Sequence, residues 1–553
     1  MYLLLKSITI FLFSIICFAQ WSTDPSVNTP VNIDEYMQTW PDGCTDMNGG
    51  AIVVWREKNS DIYAQRLDKY GYMMWDSDGI PICTEDMEQW PIDIISDGKG
   101  GAIVLWQDYR KLTDNISRDF ASNTLYVQRI NADGQVLWNE NGIQLSDFRI
   151  RTDYIINQQI MQTNCEGIIS DCHGGAYICW TLAHDSLMGQ TQNQIAYIQH
   201  VDSTGSILWD EYGKTLLYGI SAELSIVSDD SSGVYCYVNP DSVYRFDYDG
   251  NMLWDIALYL PTRWSSTLVS DGLGGFYAVG VQNWPGKVIM YRVDRQGNIL
   301  LNNWNYEDEK GLKENKLFVD SDTKQGLFLR CRNYDGIIHM LRISPNGNIL
   351  WENHGDIDVP ALIDNFGNWF YLYSIEDSTY RIYEKKYDID GNPMWGENGI
   401  LIRARTEDWG WLSPWNYVAD QNGGLIMLWS ETRHLTQYWD IMGQQVNSDG
   451  ELGNVVNKIK DTNQIPEDYI LLHCYPNPFN STATISYRIF TKSLVKISVY
   501  NISGYLVDIL VNKEHNPGNY IIDWDASILS SGIYLCVLSG NRFSQSTKMA
   551  LIK

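Results

Sequence analysis

The sequence predicts an all-β fold: an eight-bladed, alternatively seven-bladed, β-propeller of four-stranded blades followed by a small immunoglobulin-like β-sandwich. Three observations predict it: two alternating motifs fill most of the chain, 22 Trp and 35 Tyr accompany 44 Gly, and the periodicity changes after residue 460. Aromatic residues favour strands and glycine favours tight turns, so long helices are not expected. At 553 residues the chain suffices for two or three folding units.

The first motif joins an aspartate, a double glycine and an apolar run. It begins at Asp46 (DMNGGAIVVW), Asp97, Asp171, Asp271 and Asp420, with weaker copies at Asp229, Asp322 and Asp364. The second motif ends in tryptophan, as in YAQRLDKYGYMMW at Trp75 and YVQRINADGQVLW at Trp138. Each motif occurs eight times, and the two alternate strictly, which indicates a repeat architecture.

Each pair of motifs describes about four strands joined by hairpins, because Asp-Gly, Asn-Gly and Gly-Gly provide the positive φ of tight turns. Strand a precedes the aspartate, strand b follows the double glycine, and strands c and d flank the second turn. Such meanders bury both faces only when they close into a ring. The recurring Gly pair, Tyr and Trp loosely resemble kelch repeats, although here the Gly pair opens strand b.

Recurring tryptophans and aspartates of the motifs have predicted structural roles. We expect Trp55, Trp106, Trp75 and Trp138 to pack between neighbouring blades. We expect Asp97, Asp171 and their equivalents to accept hydrogen bonds from turn amides.

Residues 1–19 predict a signal peptide for the Sec export machinery. Lys6 precedes an apolar run that ends at Ala19, after which cleavage is expected. A lipoprotein anchor on Cys17 is the alternative, but Ile16 stands where a small residue is preferred. No later segment is apolar enough for a transmembrane helix in the mature chain.

Nine cysteines remain after residue 19, at irregular spacings that define no complete disulfide framework or zinc site. Cys165 and Cys172 could pair across a short loop, whereas Cys179 is expected to pack as a small hydrophobic residue. The formal charge of −28 disfavours nucleic acid and anionic lipid as partners.

The last eighty or so residues differ from the repeats. After a linker, 461–473, the chain reads YPNPFNSTATISYRIF from Tyr475 and later PGNYIIDWDASILSSGIYLCVLSG. Alternating strands and turns predict a β-sandwich over 474–553, separate from the propeller at 20–460. The segment closely resembles type IX secretion C-terminal sorting domains of the Pro-Asn-Pro-Phe subtype. The matching residues are Tyr475, Pro476, Asn477, Pro478, Phe479, Asn480, Gly504, Gly518, Trp524, Gly532, Tyr534 and Lys553.

This resemblance implies recognition by the outer-membrane translocon, often followed by cleavage of the domain and attachment or release of the cargo. It also implies a protein that is secreted or displayed on the outer surface of a Gram-negative bacterium. A plain adhesive immunoglobulin-like module is the alternative for this segment.

No catalytic, phosphate-binding or dinucleotide motif occurs, so no catalytic residue is predicted. His173 and His200 are expected to be structural. The Asp-rich turns at Asp247 and Asp388 are compatible with calcium, but they lack the further oxygen ligands of calcium loops. No other cofactor and no metal ligand is predicted.

Loop lengths indicate where binding takes place. The a–b and c–d turns are short and uniform, whereas the loops at the opposite end vary widely in length, and variable loops on a rigid scaffold commonly carry function. That end should hold tryptophans near the starts of the inner strands and carboxylates just after strand b, which suit sugar binding. The candidate ligand-binding residues are Trp40, Trp90, Trp264, Trp415, Glu57, Asp108 and Glu431.

Packing of the tryptophans, with surface pairs Glu431–Arg433 and Asp108–Arg110, is the structural alternative. The leading functional hypothesis is a propeller that binds extracellular glycan or protein. An enzyme that degrades polysaccharide or peptide, using Asp108 or Glu431, is the second hypothesis, and a structural envelope component is the third.

Overall fold

The computed structural model describes residues 21–26, 28–32, 36–57, 60–110, 124–146, 161–184, 193–220, 224–239, 241–254, 257–260, 267–282, 286–312, 317–355, 362–376, 380–405, 416–432, 439–453, 472–475, 479–489, 492–501, 506–516, 518–539 and 544–553. The regular elements of these residues are all strands. Among them, no helix meets the length and hydropathy that crossing a membrane requires. The chain divides into two compact units between Val456 and Asn457. The predicted signal peptide lies outside the described residues.

The first unit starts with β1 (Thr29–Asn32), which seven sheets of four consecutive antiparallel strands follow. Sheets 1 to 4 comprise β2 (Gln38–Thr45), β3 (Ala51–Glu57), β4 (Asp61–Leu67) and β5 (Ile80–Cys83); β6 (Gln89–Ser96), β7 (Ala102–Asp108), β8 (Thr124–Ile130) and β9 (Ile143–Gln144); β10 (Met161–Ser170), β11 (Ala176–His184), β12 (Asn193–Val201) and β13 (Lys214–Ile220); and β14 (Leu224–Ser228), β15 (Val234–Val238), β16 (Ser242–Phe246) and β17 (Leu258–Tyr259).

The remaining sheets of this unit repeat the arrangement. Sheets 5 to 7 comprise β18 (Thr267–Ser270), β19 (Phe276–Gln282), β20 (Lys287–Val293) and β21 (Ile299–Tyr306); β22 (Phe318–Ser321), β23 (Leu327–Arg332), β24 (Ile338–Ile343) and β25 (Ile349–Gly355); and β26 (Leu362–Ile363), β27 (Trp369–Glu376), β28 (Tyr380–Tyr387) and β29 (Ile400–Arg405). Sheet 8 is built from β30 (Asn416–Ala419), β31 (Leu425–Thr432) and β32 (Trp439–Val446), and β1 completes it as the outermost strand.

The eight sheets follow one another around a ring. Apolar clusters fill the space between each sheet and the next. A further cluster joins sheet 8 to sheet 1 and includes Trp21, Val53, Trp55 and Leu428. The inner strand β2 lies beside β6 on one side and β30 on the other. The described sheets thus form a propeller, and they correspond one to one with the copies of the motifs.

The outermost strands depart from the prediction. Strand d was expected directly after the second turn, and this holds for β21 and β25. In sheet 1 the residues after the turn make only a single bridge, Leu67 to Met73, and β5 begins at Ile80 after a further turn. Trp75 lies between the two turns and packs against the core, so its burial interrupts the strand.

Each a–b turn is fixed by its aspartate, as predicted. The Asp97 carboxylate accepts hydrogen bonds from the amides of Lys99 and Gly101 through Oδ1, at 2.8 Å each. Its Oδ2 accepts from Arg129 of β8 at 2.7 Å, and Arg129 also donates to the carbonyl of Ser203 in sheet 3 at 3.0 Å. The same arrangement recurs in sheet 3, where the His200 ring bridges the Asp171 carboxylate and the carbonyl of Tyr248 in sheet 4. In sheets 2 and 3 the side chain that binds the aspartate therefore also ties the turn to the neighbouring sheet.

The tryptophans that end the second motif also bridge neighbouring sheets, as predicted. Trp75 donates through Nε1 to the carbonyl of Ala132 at 3.1 Å, and Trp138 donates to Ser203 at 3.2 Å. The last repeat lacks this tryptophan, and Trp21 takes its place. Gln444 donates to the Ser22 carbonyl as Gln65 does to Asp76, the residue after Trp75. The N-terminal segment thus supplies both the missing tryptophan and the missing strand of sheet 8.

The second unit is a β-sandwich. One sheet has the order β33-β34-β37, and the other has the order β36-β35-β38-β39. The strands are β33 (Leu472–Tyr475), β34 (Thr482–Ile489), β35 (Ser493–Asn501), β36 (Leu506–His515), β37 (Gly518–Asp525), β38 (Gly532–Ser539) and β39 (Ser544–Leu551). Its core includes Phe479, Trp524, Tyr534 and Met549.

The suggested Cys165–Cys172 disulfide is wrong, because Cys172 is a free, exposed thiol. Cys165 lies in the middle of β10, and the extended strand carries it roughly 16 Å from Ser170, next to the turn that holds Cys172. Cys179 is buried in the core between sheets 3 and 4, as predicted.

Candidate functional site

The variable-loop ends of the sheets bring the inner strands beside the ends of the second strands, as the sequence predicted. Gln38 of β2 pairs with Glu57 of β3, and Gln89 of β6 pairs with Asp108 of β7. Trp40 and Trp90 follow Gln38 and Gln89 by two residues and one residue, so both tryptophans lie at the end of the sheets where Glu57 and Asp108 end the second strands. The other two candidate tryptophans, Trp264 and Trp415, lie outside the described residues.

Trp40 is held in an unusual conformation at this end. It occupies a β-bulge between Thr39 and Asp42, and its φ of 57° falls in the left-handed region. That region is costly for a bulky side chain, and such strain is often found at functional sites. The side chain is nevertheless 49% exposed. The fold therefore presents an indole to solvent from a strained backbone.

Trp90 of the neighbouring sheet forms the other half of an aromatic pair. The two indole rings meet edge to face, with centroids 6.0 Å apart. The guanidinium of Arg56 stacks 3.7 Å from the centroid of Trp90, and Trp90 Nε1 donates to Glu88 at 3.2 Å. These contacts fix the Trp90 ring while Trp40 keeps its exposed surface. We call Trp40, Trp90, Arg56 and Glu88 the aromatic mouth.

Two partly buried carboxyl groups lie on the inner strands, two and three residues further along the chain than the tryptophans of the aromatic mouth. Asp42 and Asp93 occupy equivalent positions, opposite Val54 of β3 and Leu105 of β7. Burial raises the pKa of Asp42 to about 7, with a further contribution from the charge of Asp93. Burial also raises the pKa of Asp93 to about 6. The Asp42 carboxyl accepts a hydrogen bond from the Asn416 amide of β30.

The remaining inner strands carry different residues at the position of Asp42. They are Gly167, Ser225, Thr267, Phe318 and Asn416 in sheets 3, 4, 5, 6 and 8. Among the equivalent positions that the structure describes, which exclude that of sheet 7, only sheets 1 and 2 carry a carboxyl, and Asn416 extends the polar set into sheet 8. Another inner-strand carboxyl, Asp320 of β22, has its pKa raised to about 6 by burial.

The predicted surface role of the acidic residues after strand b does not agree with their surroundings. Glu57, Asp108 and Glu431 are buried. They accept hydrogen bonds from the indole N–H of Trp55, Trp106 and Trp429, at 3.0, 2.9 and 3.1 Å. A buried indole N–H requires an acceptor, and the residue two positions later supplies it. These carboxylates therefore complete the blade core rather than lining the aromatic mouth.

The alternative prediction for these acids was two surface ion pairs, Asp108–Arg110 and Glu431–Arg433, and the structure describes one of the two. Asp108 pairs with Arg110 at 2.6 Å, as predicted. Glu431 pairs with Arg403 of β29 at 3.1 Å. Arg433, its expected partner, lies outside the described residues.

Sequence reasoning missed Asp42, Asp93, Asn416, Arg56 and Glu88. A signal was present for the first two: each follows a Trp-Pro pair, in WPDG from Trp40 and WPID from Trp90. The spacing differs, since Asp42 lies two residues after Trp40 and Asp93 lies three residues after Trp90. The shared feature is the proline at or beside the bulge of each inner strand, where its missing N–H donor is tolerated.

The predicted structural histidines and the Asp-rich turns have internal partners. His200 is fully buried against Asp171. The Asp247 carboxylate accepts from the backbone and side-chain amides of Asn251, and Asp388 does the same with Asn392. Among the described residues, no group of three or more His, Cys, Asp and Glu side chains is arranged to hold a metal ion. Calcium at these turns stays a proposal.

The sorting-motif residues that the structure describes belong to the sandwich. Phe479, Trp524 and Tyr534 pack in its core. Tyr475, Gly518 and Gly532 lie on strands, Asn480 lies just before β34, and Lys553 donates to the Ser531 side chain at 3.0 Å. Pro476, Asn477, Pro478 and Gly504 lie outside the described residues.

Residues 473–553 match the family described as secretion system C-terminal sorting domain. This confirms the resemblance that the sequence indicated. The protein is therefore exported by the type IX secretion system to the cell surface or the extracellular space. No curated protein matches the chain.

Solved structures with similarity to this chain include three bacterial proteins. BamB from Moraxella catarrhalis is 14% identical, with a TM-score of 0.30 over 63% of this chain and 81% of its own. PorZ, a surface component of the type IX secretion system of Porphyromonas gingivalis, is 9% identical, with a TM-score of 0.26 over 91% of this chain and 74% of its own. A quinoprotein alcohol dehydrogenase-like protein from Bacteroides thetaiotaomicron is 11% identical, with a TM-score of 0.31 over 61% and 76%.

Proposed function

We propose that the protein binds an extracellular glycan at the aromatic mouth, with Asp42 and Asp93 as hydrogen-bonding groups beneath it. The observation that carries this proposal is the exposed Trp40 indole, held on a left-handed backbone beside the fixed ring of Trp90. The export route supports it, because the sorting domain delivers the propeller to the place where such ligands occur.

The chemistry of the site suits a sugar. The apolar face of a pyranose packs against an exposed indole, and its hydroxyls need both donors and acceptors. Arg56 and Asn416 provide donors. Glu88 and Asp93 provide acceptors, and Asp42, with its pKa near 7, serves as either. Because this set is confined to sheets 8, 1 and 2, we expect one ligand site per ring rather than a repeated one.

The test is a glycan array followed by calorimetric titration of any hit. Trp40→Ala and Trp90→Ala should each weaken binding by tenfold or more, since an aromatic anchor typically contributes about 1.5 kcal/mol or more. Phe366→Ala is the matched control, because this exposed aromatic residue lies in an a–b turn at the opposite end of the sheets. Binding that survives both tryptophan substitutions would refute the site.

A protein ligand at the same mouth is the principal competing outcome. It would appear as no hit on the array and as capture of a defined extracellular protein that Trp40→Ala abolishes.

Acid–base catalysis is a second candidate function, favoured by the two neighbouring carboxyls with pKa values raised to about 7 and about 6. Neighbouring carboxyls with separated pKa values are typical of glycoside-cleaving sites. The carboxyls to test are Asp42 and Asp93, because Asp108 and Glu431 are committed to indoles and arginines. Turnover of a bound oligosaccharide that Asp42→Asn and Asp93→Asn each abolish would support catalysis. Binding without turnover over days would exclude it for that ligand.

A further inference from the structure

One sheet of the sorting domain has an outer face that is apolar and exposed. In β38, Tyr534, Cys536 and Leu538 point into the sandwich core. The alternate residues Ile533 and Leu535 face outward and are 43% and 41% exposed. Since side chains alternate between the faces of a strand, this pattern assigns Val537 to the outer face as well.

The neighbouring strands extend this surface. Leu535 lies opposite Tyr500 of β35, and Tyr500 lies opposite Leu506 of β36. In the next row Val537 lies opposite Ser498, and Ser498 lies opposite Ile509. Leu506 and Ile509 are 50% and 44% exposed. Directly opposed side chains lie within about 5.5 Å of each other, so Leu535, Tyr500 and Leu506 form one apolar row. In the next row Val537 and Ile509 flank the small side chain of Ser498, and Ile533 precedes Leu535 on the same face of β38. Lys548 of β39 lies opposite Leu535 and places a charge at the edge of this surface. We call Tyr500, Leu506, Ile509, Ile533, Leu535 and Val537 the outer patch.

The opposite sheet of the same sandwich provides an internal comparison. There Thr484 of β34 donates from its hydroxyl to Asp523 of β37 at 2.7 Å, and Thr482 pairs with Asp525. Both aspartates are exposed, as is usual for the solvent side of an antiparallel sheet. The outer patch therefore departs from what the fold requires. Contiguous exposed apolar surface on a soluble domain marks an interaction site.

We propose that the outer patch is the surface by which a subunit of the secretion machinery recognises this domain through an apolar groove. Residues 473–553 match the secretion system C-terminal sorting domain family. A domain that directs sorting must contact the secretion machinery through one of its surfaces. The described part of the opposite face carries Thr482, Thr484, Asp523 and Asp525, and its exposed Ile521 lies opposite Ser486 rather than beside another large apolar residue. The outer patch offers the desolvation that makes a docked interface specific and stable.

The test compares charged substitutions inside and outside the patch in the full-length protein expressed in a type IX-competent host. Ile533→Glu and Leu535→Glu place a charge in the patch. Ile521→Glu and Ile528→Glu are matched controls, because these isoleucines are 73% and 92% exposed elsewhere on the same domain. Periplasmic and extracellular fractions are quantified by immunoblot. Near-ultraviolet circular dichroism and the thermal melt of each purified variant verify its folding.

We expect the patch variants to accumulate in the periplasm at least tenfold over wild type, and the controls to be exported normally. Leu535→Ser, a milder change, should give an intermediate defect and covers the case in which a glutamate variant fails to fold. Normal export of correctly folded patch variants would overturn the proposal. If the patch variants are exported normally but no longer form a dimer that wild type shows in light scattering, the outer patch is instead a contact with a second copy of the chain. Normal export with a lowered propeller melting temperature would assign it to the propeller.

Discussion

At the scale of single residues, Trp40 combines exposure with backbone strain. Its indole meets Trp90 edge to face but is still half exposed, and its φ of 57° is one that glycine adopts freely. The sequence predicted Trp40 as a ligand residue from its place on the inner strand. It could not predict the strain, because the bulge depends on how β2 pairs with β3.

Trp40→Gly should be more stable than Trp40→Ala by about 1 kcal/mol, because glycine relieves the left-handed strain that alanine keeps. Both variants should lose the ligand equally if the indole is the anchor. Urea denaturation of the two purified variants measures the difference. Equal stabilities, or a more stable alanine variant, would show that the bulge is unstrained.

Glu384 is a second unusual residue, because its ionisable carboxyl group is buried. It is buried between sheets 7 and 8, where Oε2 has no hydrogen-bond partner among the described residues. Burial raises its pKa well above the usual range for a carboxyl. The equivalent position is Met290 in sheet 5 and Met340 in sheet 6, by register against Val279 and Arg330.

Glu384→Met should therefore stabilise the protein, by about 1–3 kcal/mol at pH 8. A carboxyl whose pKa is raised on folding stabilises below its unfolded pKa, and this contribution is lost as pH rises. The gain should therefore be smaller at pH 5 than at pH 8. Met340→Glu is the reciprocal control and should destabilise. A destabilised Glu384→Met variant would indicate that the carboxyl has a partner.

At the scale of elements, the a–b turn shows why its motif contains two glycines. The first, as in Gly100, has a φ of 86°, which the sequence predicted. The second, Gly101, has ordinary dihedrals, but a Cβ there would lie 2.3 Å from the Ile130 carbonyl oxygen. The close approach of strand c to the turn explains this glycine. A motif alone does not distinguish it from a conformational requirement.

Gly101→Ala should destabilise the propeller by about 2 kcal/mol, because the backbone carbonyl cannot move without breaking the hairpin. Gly167→Ala is the control, since its Cβ would meet no atom closer than 3.7 Å. We expect a change within about 0.5 kcal/mol there. Thermal melts of both variants check the contrast, and similar losses would rule out the close approach as the cause.

The strands illustrate what hairpin patterns reveal and what they hide. Strands a, b and c follow directly from the glycine turns and the alternating apolar residues. The outermost strand does not, because in sheet 1 the half-buried Trp75 and a second turn separate it from the motif. The carboxylates after strand b were misassigned for a related reason. An exposed-looking acid two residues after a tryptophan is the natural acceptor for that indole.

At the scale of the whole molecule, the ring is closed by residues from opposite ends of the repeat region. Trp21 and β1 complete sheet 8 against Gln444 and Ile441. The propeller class and the sorting domain were predictable because each depends on local patterns. Ring closure and the Asp42–Asp93 pair were not, because both arise from contacts between distant sheets.

The propeller's stability should decline from pH 5 to pH 8. Asp42, Asp93 and Asp320 have pKa values raised to about 7, 6 and 6. A raised carboxyl pKa stabilises below the unfolded pKa near 4, and this contribution is lost as pH rises through the folded value. Asp42→Asn should flatten the dependence of the melting temperature on pH.

The matched control for this prediction is Asp388→Asn. Burial by itself would raise the pKa of the Asp388 carboxyl, but the turn hydrogen bonds, the largest of them from Asn392, together outweigh it and lower that pKa. Its contribution is therefore lost only as pH falls below about 4. This variant should leave the slope between pH 5 and pH 8 unchanged. An Asp42→Asn profile parallel to wild type would contradict the raised pKa.

The claim that an exported propeller binds its ligand at the aromatic mouth is tested most directly by hydroxyl-radical footprinting with mass spectrometry. The measurement compares the oxidation of individual side chains with and without a saturating glycan hit. The account predicts protection of Trp40, with Phe366 and Met394 at the opposite end of the sheets unchanged. Unaltered oxidation of Trp40 in the saturated complex would contradict it.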